Sequence, residues 1–401
     1  MKKFAIIMFC FLFTFTAGYS VNAEMEVPES TGSEETGDKL NLTAKSGLVM
    51  EASTGKIIYE KNSTEALPPA SVTKVMTLLL IFEALDEGKI HLDDEVSVSE
   101  HAASMGGSQV FLEASEVQSV EVLIKSIVIA SGNDAAVAMA EFVAGSEDAF
   151  VQKMNQKAKE LKMEQTVFKN CCGLDTDGHV TSAKDIALMS RELITKHPKV
   201  FEYSGIWMDE FTHKTKKGES VFTLSNTNKM IKQYQGCTGL KTGSTSQAKF
   251  CISATAKRND ISLIAVVMAS NTSKDRIKDA SALLDYGFAN CQMYEAPDLS
   301  KKIEPIKIIG GDKDTIKVKM KKQFKTILTP EENPKQITYN IQRKKHLQAP
   351  LKKGADAGWV TYYLNGSYIG KVKLVTEEAV KKMTFAKSIE RVAGYYFHSG
   401  K

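Results

Sequence analysis

Ser71 and Lys74 stand three residues apart in the run PPASVTKVMTLLL, residues 68–80. A hydroxyl and an amine at that spacing share one helix face, so the amine can approach the hydroxyl. Val72, Val75, Met76, Leu78, Leu79, Leu80 and Ile81 leave little of such a helix suited to water, and a lysine held among them is desolvated. Desolvation and a neighbouring cation both lower a lysine's pKa, which turns a fixed charge into a base able to activate a serine. Spacing by itself proves little, because Ser53-Lys56 and Ser246-Lys249 repeat it without an apolar helix start.

Two further groups bear on the same chemistry. Ser131-Gly132-Asn133 offers a hydroxyl and an amide at a glycine-permitted turn between two helical stretches; alone it reads as a capping turn. Lys241-Thr242-Gly243 brings a cation, a hydroxyl and a residue without a side chain, so that a ligand could lie against a strand edge; alone it reads as a plain turn. In this order and at these separations the three match the set found in penicillin-binding proteins and class A β-lactamases.

The chain resembles a low-molecular-mass penicillin-binding protein, a D-alanyl-D-alanine carboxypeptidase, over about residues 46–291. GGSQVFL, SGNDAAVAMAE and TVFKNCCGLDTDGHVTSAKDIA are similar to segments typical of that family. Two departures stand out. Asn170 is followed by Cys171 where the family usually has proline, and Ala248-Lys249-Phe250 replaces the frequent Ala-Gly-aromatic, a variant that resembles carboxypeptidases of spore-forming Gram-positive bacteria. A sporulation role rests on that likeness alone.

The resemblance implies that Ser71 attacks the carbonyl between the two D-alanines ending a peptidoglycan stem peptide, with Lys74 as its base. Ser131 and Lys241 would relay a proton to the leaving amine, and Asn133 would hold the substrate amide. Thr242 and Arg276, on SKDRIKD, would receive the terminal carboxylate, while backbone N–H groups of Ser71 and Ser244 would form the oxyanion hole beside Gly243. β-Lactam antibiotics would acylate Ser71 as covalent inhibitors, and no cofactor is implied. A class A β-lactamase would need a glutamate in a Glu-x-x-Leu-Asn setting, whereas Glu164 stands at an unlike spacing before Asn170. A D,D-endopeptidase would use the same catalytic set, and a non-catalytic wall-binding protein would keep the fold without needing it. No G-x-S-x-G elbow, HExxH or HxH occurs, which argues against His-based hydrolysis and zinc catalysis. His179 reads as a hydrogen bonder that orders its loop.

These groups need elements to carry them. SGLVMEASTGKIIYE predicts a hairpin turning at Ser53, Thr54 and Gly55, followed by a helix from about Ser71 that Gly88 stops. SVEVLIKSIVIA and AAVAMAEFVAG have helical periodicity on either side of Ser131 to Asn133. KFCISATAK and DISLIAVVMAS read as paired central strands, and ASALLDYGFANC as a helix after them. Hairpin, helices, then strands imply an α/β sheet with helices packed on it. The resemblance sharpens this to a β-lactamase/transpeptidase-like domain, an antiparallel sheet flanked by helices plus an all-α subdomain. From about residue 301 apolar and polar residues alternate and Asn365-Gly366 marks a tight hairpin, so a small all-β domain follows.

At 401 residues, with 43% hydrophobic and 25% charged residues, the chain has room for two domains and no disordered or multi-span character. A net charge of only +4, nearly balanced along most of the chain, gives no nucleic-acid footprint of clustered Lys and Arg outside the C-terminal third. Lys2 and Lys3, an apolar run from Phe4 to Ala17 and Val21-Asn22-Ala23 predict a signal peptide cleaved after Ala23, so the protein is exported, to the outer face of the cytoplasmic membrane or the wall space. Cys171, Cys172, Cys237, Cys251 and Cys291 remain, an odd set without metal-ligand spacing, so neither a disulfide framework nor a zinc site is expected. The expected layout is a signal peptide at 1–23, a flexible acidic linker at 24–45, the catalytic domain at 46–295, a β domain at 296–376 and an amphipathic helix at 377–401. That helix has Val380, Met383, Ile389, Val392 and Ala393 on one side, with Lys381, Lys382, Lys387 and Arg391 available to the rest. It either lies on an anionic membrane surface or packs on its own domain.

Overall fold

The computed structural model describes residues 39–398; the expected signal peptide and most of the expected linker lie outside them. The centre is a five-stranded antiparallel sheet. Its strands are β1 (Ser46–Glu51), β2 (Ile57–Lys61), β3 (Cys237–Thr245), β4 (Lys249–Arg258) and β5 (Ile261–Ser270), ordered β2-β1-β5-β4-β3. The first hairpin and the β4–β5 pair form as their alternation requires. β3 is an edge strand, which leaves one side of Lys241-Thr242-Gly243 without a strand partner in the sheet.

Helix α6 (Ser273–Ala289) covers one face, where Leu283, Leu284 and Ala280 meet Val49, Leu263 and Ile252. The other face carries the larger core, built around α1 (Lys74–Asp86) by α2 (Val120–Val128), α3 (Asn133–Ala144), α4 (Glu147–Glu160) and α5 (Ala183–Lys196). A helix that is apolar all round must be enclosed, and α1 is buried from Lys74 through Phe82. Ser119, Ser146, Ser182 and Thr272 each cap the following helix with a side-chain oxygen that accepts from a backbone N–H.

Three boundaries differ from expectation. Ser71 lies in a 3-10 turn, Ala70–Thr73, that leads into α1 rather than in the α-helix itself. Pro68 and Pro69 precede it and Ala70 adopts φ 49°, so the chain enters the helix through a tight, strained residue. The last part of the expected linker is packed: Leu42 and Ala44 are buried, and Thr43 Oγ1 and the Ala44 N–H donate to Asp279 at 2.9 and 2.8 Å. The C-terminal helix, α7 (Phe385–His398), begins later than residue 377. Val380 has the right period for that helix, but its N–H and carbonyl bond to Leu351 and its side chain fills the core of the preceding domain.

That domain is all β. A four-stranded sheet ordered β6-β9-β8-β7 uses β6 (Val318–Met320), β7 (Ile337–Arg343), β8 (Asp356–Leu364) and β9 (Ser367–Thr376), with the β8–β9 turn at Asn365-Gly366. Gly370 in β9 is required by packing: a Cβ there would lie 2.7 Å from Phe324, whose ring stacks 4.0 Å from Tyr362.

Candidate active site

Three elements converge beside the edge strand. The 3-10 turn brings Ser71, the loop before α3 brings Ser131 and Asn133, and β3 brings Lys241 and Thr242. In a 3-10 turn side chains at i and i+3 eclipse, and Lys74 Nζ accordingly lies 3.0 Å from Ser71 Oγ. Lys74 Nζ also donates to Asn133 Oδ1 at 2.6 Å and to the carbonyl of Cys172 at 2.7 Å. A neutral amine has two donors and one lone pair. Two carbonyls take two donors of Lys74 Nζ, and its remaining position faces Ser71.

Burial lowers the Lys74 pKa, partly countered by Cys172, Cys171 and Asp134 acting through space. Asp134 is itself committed, accepting from the backbone N–H groups of Val110, Leu112 and Ala135. Lys241 is pushed well below its ordinary value by burial and by the charges of Lys74 and Arg276. Its Nζ donates to Ser131 Oγ at 2.8 Å and to the Thr242 carbonyl at 3.0 Å. Ser131 is held with φ 64°, an uncommon left-handed conformation for a serine that the surrounding packing must impose.

Arg276 reaches the site from α6. One guanidinium nitrogen donates to the carbonyls of Gly243 and Cys251 at 3.2 and 3.3 Å, and the other to Ser273 Oγ at 3.2 Å. Its Nε is buried without a partner, and burial lowers its pKa. Among the described residues, no carboxylate pairs with Lys74, Lys241 or Arg276. Ser71, Ser131, Thr242, Ser244 and Arg276 line one cavity of about 170 Å³. A larger cavity of about 680 Å³ lies elsewhere, between the β1–β2 turn and the β domain, and none of these groups reaches it.

Glycine is required twice here for close backbone approach. A Cβ on Gly243 would lie 2.8 Å from the Ser71 nitrogen and 2.9 Å from that of Val72, so the missing side chain admits the nucleophile turn. A Cβ on Gly173, at φ 90°, would lie 1.9 Å from the Ala70 carbonyl oxygen. Lys249 is exposed and donates to Asn271 Oδ1 at 3.0 Å, outside the cavity. Lys56 pairs with Glu332 and Ser53 with Glu51, so neither other Ser-x-x-Lys pair places its amine on its hydroxyl.

His179 orders its loop. Its Nδ1 accepts from the Lys169 N–H at 3.0 Å, so Nε2 carries the proton and donates to Thr73 Oγ1 at 2.8 Å. Burial lowers its pKa to about 4. Glu164 is exposed and does not line the cavity, and among the described residues no other carboxylate lines it either, where a β-lactamase would need its water-activating group. Several contributors carried no sequence signal: Thr227, 2.7 Å from Thr242 Oγ1; the Gly106 carbonyl, which accepts from Asn133 Nδ2 at 2.6 Å; and the Cys172 carbonyl.

A serine with a desolvated amine beside it, a second Ser–Lys pair and an unpaired cation define a penicillin-binding serine acyl-transfer enzyme. The sequence profile described as D-alanyl-D-alanine carboxypeptidase matches residues 32–272, and that of the penicillin-binding protein 5 C-terminal domain matches residues 293–382. The D-alanyl-D-alanine carboxypeptidase DacF of Bacillus subtilis is 41% identical over 351 residues, 88% of this chain and 89% of that one. DacC of Escherichia coli, of the same description, is 32% identical over 367 residues, 89% of each. The crystal structure of penicillin binding protein 5 from Haemophilus influenzae superposes with a TM-score of 0.66 at 30% identity, covering 85% of this chain and 98% of that one. The chain belongs to the D-alanyl-D-alanine carboxypeptidase family. It is a serine hydrolase that acts on peptidoglycan peptides, binds β-lactams and works outside the cytoplasm.

Proposed function

We propose that Ser71 is the nucleophile and neutral Lys74 its base. Ser71 Oγ bonds to the penultimate D-alanine carbonyl as its proton passes to Lys74. Donors at the Ser71 and Ser244 backbone stabilise the oxyanion, an effect worth about 3 kcal/mol per donor in comparable sites. The C–N bond then breaks, and the terminal D-alanine leaves with a proton delivered through Ser131 and Lys241, while Asn133 orients the substrate amide. Water hydrolyses the acyl-enzyme and restores Ser71. The buried cluster of two amines and a guanidinium, none paired with a carboxylate, carries this reading: a substrate ending in a carboxylate supplies a partner, with Thr242 and the Arg276 cation as its seat. Release of D-alanine from a soluble pentapeptide, compared with the same peptide amidated at its C-terminus, tests it. The amide should lose most of kcat/KM; equal turnover of both would contradict the carboxylate seat.

The tail supports a finer localisation, at the outer face of the cytoplasmic membrane. Phe385, Ile389 and Val392 lie on one side of α7 and are 83%, 54% and 57% exposed. The basic residues of this helix pair with the β domain instead, Lys387 with Asp312 and Arg391 with Asp314. Among the described residues no helix is long and apolar enough to cross a membrane. A helix of this kind lies in the lipid interface with its apolar side down. Flotation with anionic vesicles checks it: the full mature chain should float, and a chain ending at residue 384 should not.

A further inference from the structure

The outward face of the C-terminal sheet has a surface that the chemistry at Ser71 leaves unused. Register sets Trp359 opposite Lys373 and Tyr363 opposite Tyr368 on β8 and β9, with Asn340 of β7 and Lys371 of β9 in the row between. Val360, Tyr362, Val372 and Leu374 on the same strands fill the core, so alternation sends Trp359, Tyr363, Lys371, Lys373 and Asn340 outward, and the register shift between Tyr362 and Tyr363 brings Tyr368 to the same face. Trp359 is one of only two tryptophans in the chain, and it is spent on a solvent-facing sheet. The Nζ atoms of Lys371 and Lys373 lie 4.5 and 5.6 Å from the centre of its ring. Tyr363 and Tyr368 meet edge to face at 6.4 Å, and Tyr368 is 60% exposed.

Charge adds a second observation. Residues 293–382 contain 18 lysines and one arginine against ten acidic residues, while the whole chain nets +4. The excess positive charge of the molecule is therefore concentrated in this domain, and it complements a polyanion. A polymer of phosphates would need the lysines alone. Aromatic rings at Trp359 and Tyr363, roughly 13 Å apart along one strand, with an amide between them, fit a polymer of sugar rings carrying amide groups.

We propose that this face binds the glycan strand of peptidoglycan. Sugar rings stack on Trp359 and Tyr363, Asn340 meets their N-acetyl groups, and Lys371 and Lys373 move off the indole to meet carboxylates of the attached peptides. The inference rests on peptidoglycan being the substrate, and it goes beyond the cleavage reaction: the β domain keeps the enzyme on the polymer whose peptides it trims.

The test is co-sedimentation of the full mature chain, its active site first blocked with penicillin, with purified peptidoglycan stripped of phosphate polymers. D-Alanine release from a short soluble peptide is measured alongside on unblocked enzyme. Trp359→Ala with Tyr363→Ala should weaken sedimentation at least about fivefold. Lys371→Glu with Lys373→Glu should weaken it comparably and flatten its salt dependence. Soluble-peptide kcat/KM should stay within about twofold in each. Tyr368→Ala removes one exposed ring and serves if the paired aromatic variant folds poorly. Unchanged sedimentation of folded variants, or binding that vanishes once phosphate polymers are stripped, overturns the proposal. Failure of the unaltered enzyme to release D-alanine from the soluble peptide would instead count against the substrate reading.

Discussion

Lys74, Lys241 and Arg276 are ionisable and buried, whereas Phe385, Ile389 and Val392 are apolar and exposed. Both regions reverse the ordinary partition of side chains, and they do so at opposite energetic extremes. In the cavity, desolvation is costly and is tolerated because carbonyls and hydroxyls take up most donors, which leaves room for the proposed base and carboxylate seat. On α7 the inversion costs little for so short a surface, and its basic residues are used up in ion pairs with the β domain. Buried charge is organised for chemistry; exposed apolar surface is organised for contact.

The largest expected effect lies in the cavity. Lys74→Ala should lower kcat/KM for D-alanine release by about 10⁴-fold or more, and Lys74→Arg should not restore it, because a guanidinium stays charged and cannot act as the base. Steady-state assays on a soluble pentapeptide would show either outcome. Gly173→Ala tests the backbone behind that cavity. With a Cβ 1.9 Å from the Ala70 oxygen and φ 90°, it should cost at least about 3 kcal/mol by denaturant unfolding or displace the Ser71 turn and suppress acylation by penicillin.

The next effect is a pH dependence. The unfolded chain protonates His179 as pH falls through its ordinary value of 6.5, while the folded protein holds it neutral until about 4. Stability from this group is therefore complete above 6.5 and is lost as pH falls across that window, by at most about 3 kcal/mol. Urea unfolding at pH 7 and pH 5 should show a smaller loss in His179→Gln than in the unaltered chain; equal losses would remove His179 as the cause. The smallest effect belongs to the tail, where Ile389→Ser should weaken vesicle binding about tenfold and leave soluble-peptide turnover alone.

Much of the convergence was readable from local pattern. Ser71, Lys74, Ser131, Asn133, Lys241 and Thr242 sit in short runs whose residue types and flanking periodicity already limit what they can do. The carbonyls of Cys172 and Gly106 were not readable, because every residue has one and only the tertiary path decides where it points. Thr227 lies in an ordinary loop and gains its meaning from β3 beside it. Gly243 was read as space for a ligand, and the structure also fills that space with the backbone of the nucleophile turn. Val380 shows how period misleads: its spacing suits α7, but two backbone hydrogen bonds to Leu351 bind it to the sheet domain. Leu42 and Ala44 belonged to a stretch too polar to signal order, and Asp279 on α6 fixes them from the other side of the sequence.

The most direct test of the central claim is intact-mass spectrometry of the mature protein with and without penicillin, followed by peptide mapping. The account predicts one adduct of penicillin mass, on the peptide containing Ser71, and none on Ser71→Ala. An adduct that survives in Ser71→Ala, or that maps to another residue, would contradict it.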